Sequence, residues 1–162
     1  MCYNEHVRKP RLYVDTSVIG GCYDDEFASP SRRLFGQFRR GQATAVISSL
    51  TLEELEDAPT HVREVLDELP SSAVEYAALE DEAVQLAEAY IAEGVVGRGA
   101  LADAQQVAIA TLHKVDVIVS WNFRHIVNLN RIRLFTSVNL RQGLVTPEIR
   151  TPLEVLADEE EL

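Results

Sequence analysis

Apolar positions switch between two periods along this chain. Leu12 to Val14 form a short apolar run that ends on Asp15, and Ala43 to Ser48 form a second; both read as strands. Val115 to Ser120 is nearly continuous in β-branched residues, the mark of a strand buried on both faces. Helical spacing takes over between these runs. After the start signal Ser29-Pro30-Ser31, Leu34, Phe35 and Phe38 recur at that spacing until Gly41. Ser48 to Ala58 and Thr60 to Leu69 read as short helices stopped by Pro59 and Pro70. Leu79, Ala83, Leu86, Ala87, Tyr90 and Ile91 follow the i, i+3, i+4, i+7 pattern, so Leu79 to Glu93 is a helix that Gly94 closes. Ala100 to Lys114 is another, with Leu101, Ala104, Val107 and Ala108 on one face. A last strand is expected over roughly Arg131 to Phe135, and a short helix over Ser137 to Gly143. The segment from Pro147 carries two prolines and an acidic tail, expected to be flexible from about residue 155.

Strands separated by helices in this order imply an α/β fold, a parallel sheet with helices on both faces. No repeat or linker divides residues 1–162, so one domain is expected. In such a sheet, ligands bind outside the carboxyl ends of the strands, where the first strand delivers Asp15.

Composition narrows the setting. A chain of 162 residues, 46% apolar and 25% charged, suits a globular domain. No apolar run reaches the roughly 20 residues needed to span a bilayer, so a cytoplasmic protein without membrane contact is expected. No export signal is expected from residues 1–10. Cys2 and Cys22 lack the spacing of a zinc site and are expected as free thiols. The net charge of −11 argues against a broadly electropositive nucleic-acid binder. Five acids crowd Glu154 to Glu161 and four more lie from Glu53 to Asp57. Arg32, Arg33, Arg39 and Arg40 decorate one helix, either as a solvated face or as phosphate contacts. The lone histidines His6, His61 and His113 are expected on the surface, and Trp121 in the core.

Helix geometry sorts the candidate acids. Leu52, Leu55 and Ala58 mark the buried arc of their helix; Glu53 and Asp57 fall opposite it, while Glu54 flanks it nearer the strand end. Thr51-Leu-Glu-Glu54 also has the form of a capping box, so Glu54 has a purely structural alternative. Asp103 borders the apolar arc of its own helix in the first turn, where the helix dipole favours an ionised carboxylate. Asn122 follows the strand that ends at Ser120; its amide oxygen can accept a metal or a water but brings no charge. Ser17 stands where it can orient the Asp15 carboxylate or satisfy backbone donors.

Four segments together resemble the PIN-domain family, the ribonuclease domain of VapC-type toxins and RNA-processing nucleases. They are Val14-Asp-Thr-Ser-Val-Ile-Gly20, Ile47-Ser-Ser-Leu-Thr-Leu-Glu-Glu-Leu55, Ala102-Asp-Ala-Gln-Gln-Val-Ala-Ile-Ala110 and Val119-Ser-Trp-Asn-Phe-Arg-His125. The resemblance implies a three-layer α/β/α sandwich around a mostly parallel sheet, Mg²⁺ or Mn²⁺ in an acidic pocket, cleavage of RNA, an antitoxin where the protein is a toxin, and a homodimer. By position it puts the metal-binding acids on Asp15, Glu54 and Asp103. A fourth site position, often Asp in relatives, falls on Asn122, and a further acid of some relatives falls on His125.

Three carboxylates around a hard cation need no side-chain nucleophile for phosphodiester hydrolysis. Phosphatases of the haloacid dehalogenase type need a second Asp two residues after the first, and that position is Ser17. A receiver-type phosphoacceptor lacks its acidic pair before the first strand here. The remaining rival to a ribonuclease is a catalytically weak or inactive PIN-like module that binds RNA or a partner protein, consistent with Asn122 and His125.

Overall fold

The computed structural model describes residues 8–160, without the side chains of 157–160. Cys2, His6 and most of the N-terminal lead-in lie outside the described residues. Five strands form one all-parallel sheet in the order β3-β2-β1-β4-β5: β1 (Arg11–Val14), β2 (Thr44–Ser48), β3 (Val74–Ala77), β4 (Val117–Val119) and β5 (Glu148–Arg150). The helices are α1 (Thr16–Gly21), α2 (Ala28–Arg39), α3 (Ser49–Leu55), α4 (Thr60–Asp67), α5 (Asp81–Ala92), α6 (Leu101–Leu112), α7 (Leu129–Arg141) and α8 (Pro152–Glu160). They cover both faces of the sheet, as the strand-helix alternation implies.

The side-chain alternation of β1 explains the layering. Leu12 and Val14 point to one face, with Ala45, Ile47 and Val119, and pack against Val18, Leu34, Phe35 and Phe38. Tyr13 points to the other, with Val46, Ile118 and Ile149, under Leu86, Tyr90, Val107 and Phe135. Each fully buried aliphatic or aromatic side chain stabilises such a core by about 1.5–3 kcal/mol. The chain runs outward from β1 to β3 on one side, then crosses to β4 and β5 on the other. The switch in direction falls between β1 and β4, the place where sheets of this kind bind ligands outside the carboxyl ends of their strands.

One expectation is corrected. The strand expected over Arg131 to Phe135 lies inside α7, whose N-cap Asn128 accepts a hydrogen bond from the Arg131 N–H at 3.2 Å. Over five residues, alternating Arg and apolar side chains imitate a strand; the buried Phe135, Val138 and Asn139 reveal helical spacing over a longer window. Edge strands β3 and β5 replace it. β3 exposes Glu75 and Tyr76, so its apolar signal is weak, and it is tied in by Arg11, which donates to Glu75 at 2.7 and 2.9 Å.

The segment from Pro147 that leads into the acidic tail carries a helix. Pro152 opens α8, and Thr151 and Glu154 form a reciprocal capping box, each backbone N–H donating to the other side chain at 3.2 Å. Leu156 is buried, and α8 packs on α2. Residues 161 and 162 lie outside the described residues. No described helix is long and apolar enough to cross a membrane.

Candidate active site

The backbone brings Asp15 to the sheet edge by two bonds. Its N–H donates to Val119 O at 3.0 Å, finishing the β1-β4 ladder, and its C=O accepts from Val18, starting α1. Asp15 is thus the N-cap of α1 by position, yet its side chain caps nothing. Oδ2 instead accepts from Ser17 Oγ at 2.7 Å and from Ser120 Oγ at 2.9 Å. Each of those hydroxyls is oriented from behind: Trp121 N–H donates to Ser17 Oγ, and Asn122 N–H to Ser120 Oγ, both at 2.9 Å. Their protons are thereby directed at the carboxylate. Ser17 therefore orients the acid, and Ser120, which sequence reasoning missed, does the same from the end of β4.

Asp15 is only 5% exposed. Burial pushes its carboxyl above the usual range; Ser17 and Ser120 pull it back, and the charge of Asp103 raises it again. Among the described residues, the partners of its carboxylate are hydroxyls, with no Arg or Lys.

Glu54 extends from α3 on the opposite side. Ser48, not Thr51, caps that helix, accepting from Thr51 N–H at 3.1 Å, so the capping-box alternative for Glu54 does not hold. Its Oε1 accepts from Gln106 Nε2 at 2.6 Å and from Thr16 Oγ1 at 3.2 Å. Desolvation raises its pKa, and the charges of Asp15 and Asp103 add to the rise, while Thr16 and Gln106 oppose it. Neither Thr16 nor Gln106 stood out in the sequence.

Asp103 projects from the first turn of α6, and its Oδ2 lies 2.9 Å from Nδ1 of His125. Asn122 stands beside this pair but turns its Oδ1 to the His125 backbone N–H at 2.9 Å. One acceptor expected for a metal or a water is therefore engaged in shaping the turn after β4. Trp121 is buried, stacked on Phe27 at 4.3 Å, with its indole N–H donated to Ser31 Oγ at 2.8 Å. The four arginines of α2 and its C-terminal end are exposed, and Cys22 is a buried free thiol pushed up to about 11 by burial.

The structure thus brings Asp15, Glu54 and Asp103 to one edge, close enough for Asp15 to feel the charge of Asp103 and for Glu54 to feel that of both. The donor set is hard oxygen, and among the described residues neither Asp15 nor Glu54 has an Arg or Lys partner; both fit a hard divalent ion. As the side chains stand, no three described carboxylate, histidine or cysteine groups enclose an ion. Asp103 meets His125 through Oδ2, which leaves Oδ1 as its other acceptor.

No family model matches the sequence, and no curated protein is significantly similar to it. Solved structures do match. VapBC2 from Rickettsia felis, bound to a DNA fragment from its promoter, superposes with a TM-score of 0.54 at 13% identity, covering 87% of this chain and 98% of that one. DNA-bound VapBC from Salmonella typhimurium gives 0.54 at 17% identity, covering 88% and 98%. VapC20 from Mycobacterium tuberculosis, a sarcin-ricin loop cleaving toxin, gives 0.54 at 15%, covering 70% and 92%. The parallel sheet, its helical layers and these superpositions give the chain the PIN-domain fold of the VapC type.

Proposed function

We propose that this chain is a metal-dependent ribonuclease that hydrolyses RNA phosphodiester bonds, and that it is the toxin of a type II toxin-antitoxin pair. The observation that carries this reading is the buried Asp15 carboxylate at the strand switch point, with Glu54 and Asp103 near it and, among the described residues, hydroxyls and no Arg or Lys as its partners. Asp15, Glu54 and Asp103 would hold Mg²⁺ or Mn²⁺. Such an ion supplies Lewis-acid activation of water and charge neutralisation at the phosphate.

The chain's own groups do the positioning. Ser17 and Ser120 fix the Asp15 carboxylate, and Thr16 and Gln106 fix that of Glu54. Asn122 holds the turn that carries His125 to Asp103. The neighbours that are VapBC complexes support a cognate antitoxin as partner. A homodimer and cytoplasmic location accompany the proposal.

The His125-Asp103 contact favours one competing reading, a PIN-like module that binds RNA or a partner protein without cutting. Incubating purified protein with RNA in Mg²⁺ or Mn²⁺, beside EDTA and the Asp15→Asn variant, decides between them. Cleavage that needs the ion and Asp15 supports the ribonuclease; RNA left intact under all conditions sinks it.

A further inference from the structure

We infer that Gln106 is a positioning residue for Glu54, the central member of a buried relay that ties together the three elements bearing the acids. This rests on the metal-site reading above and names a group that reading does not require.

Gln106 is 1% exposed. Its Oε1 accepts from the Tyr13 hydroxyl and from Thr51 Oγ1 at 3.3 Å, while its Nε2 donates to Glu54 Oε1 at 2.6 Å. This pattern fixes which way the amide faces: flipped, it would set one acceptor oxygen against another at the carboxylate. Tyr13 is held in turn by Ser48 Oγ at 2.8 Å. Thr16 reaches the same Oε1 of Glu54 from the other side at 3.2 Å. Two donors converge on one carboxylate oxygen and neither reaches the other, so Oε2 is the atom left to face an ion.

The placement of the relay along the sequence gives it a shared purpose. Tyr13 lies two residues before Asp15 on β1, Thr51 three before Glu54 on α3, and Gln106 three after Asp103 on the same face of α6. Each acid therefore sits within one turn or one pleat of a relay member. A shift of α6 moves Asp103 and, through Gln106, the carboxylate of Glu54 together. Groups that orient metal ligands in this way change metal affinity when removed, although they touch no metal.

The test is Mn²⁺ binding by calorimetry on the full chain without RNA, so that it reads affinity and not turnover. Gln106→Met keeps the approximate shape and removes the donor; its Mn²⁺ affinity should fall about 10- to 100-fold while thermal unfolding stays cooperative. Tyr13→Phe leaves Gln106 in place but loosens its amide, and should weaken binding in the same direction by less. Unchanged Mn²⁺ affinity in a cooperatively folded Gln106→Met protein would make the relay a folding feature only and overturn the proposal. If that variant does not fold, unchanged affinity in Tyr13→Phe overturns it instead. A parent protein that binds no Mn²⁺ sinks the metal-site reading and the relay with it, whereas equal binding by parent and variants sinks the relay alone.

Discussion

Nδ1 of His125 lies 2.9 Å from Oδ2 of Asp103, so the acid of α6 is held by an imidazole from the turn after β4. That turn is itself fixed, because Asn122 Oδ1 accepts the His125 backbone N–H. An ion that takes Oδ2 of Asp103 as a ligand displaces the imidazole. A hydrogen bond of this kind contributes about 1 kcal/mol net, which corresponds to roughly a fivefold change in affinity. His125→Ala is therefore expected to tighten Mn²⁺ binding about fivefold in calorimetric titrations. Weaker binding would mean that the imidazole assists the ion.

Asp15 carries a charge that the fold does not compensate. Asparagine keeps an oxygen for Ser17 and Ser120 and removes the desolvated charge, so Asp15→Asn should melt above the parent in EDTA at neutral pH. It should also lose both cleavage and its response to Mn²⁺. In the parent, Mn²⁺ at 100 times its dissociation constant stabilises by about 2.7 kcal/mol. At about 2–4 °C per kcal/mol for a chain of this size, the parent's melting temperature rises by roughly 5–10 °C. Thermal scans of both proteins, with and without Mn²⁺, give the comparison; a variant less stable than the parent in EDTA contradicts the charge argument.

The same two carboxylates give the metal-free protein a pH dependence of definite sign. Asp15 and Glu54 are raised in the folded state above 3.8 and 4.5, chiefly by desolvation. The native state thus holds these protons more firmly than the unfolded chain does. Their stabilising contribution is full below the unfolded pKa values and is lost as pH rises through the folded ones. In EDTA, the melting temperature of the parent should fall more steeply between mildly acidic and neutral pH than that of Asp15→Asn. Saturating Mn²⁺, which binds the ionised groups, should flatten the difference. Parallel curves for parent and variant in EDTA would show that Asp15 titrates as an ordinary surface acid.

Where residues announce their burial, the sequence was legible. The runs at Leu12–Val14 and Val115–Ser120 are apolar because both faces of a central strand are covered, and α5 and α6 show their buried arcs directly. Asp15 was legible because it follows a strand end and Asp103 because it lies in the first turn of α6, whereas Glu54 sits at the far end of α3 and Leu52, counted in the buried arc that singled it out, is exposed. What stayed hidden depends on partners distant in sequence. Ser120 matters because β4 lies beside β1, and Gln106 because its amide reaches Thr51 and Glu54 of α3; neither relation shows in a local pattern. β3 and β5 were missed because edge strands of four and three residues carry too few buried positions to set a period. The Thr151-Glu154 cap was present as a motif but was masked by the acids around it.

The support beneath Asp15 is tightly packed at Gly21. A Cβ there would stand 2.7 Å from Ser31 Oγ and 3.0 Å from the Trp121 ring, the pair joined by the indole hydrogen bond. Trp121 also donates its backbone N–H to Ser17, which holds Asp15, so displacement of the ring reaches the acid through one residue. Overpacking of this kind costs about 1–3 kcal/mol. Gly21→Ala should therefore lower the melting temperature by several degrees, on the order of 2–4 °C per kcal/mol, and weaken Mn²⁺ binding. Gly20, the adjacent residue of α1, has nothing within 4 Å of its Cβ position. Gly20→Ala should be neutral or stabilise by about 0.4–1 kcal/mol through the unfolded chain. Thermal melts of the two alanine variants test the contrast, and equal effects at the two positions would remove the close approach of α1 to Trp121 as the cause.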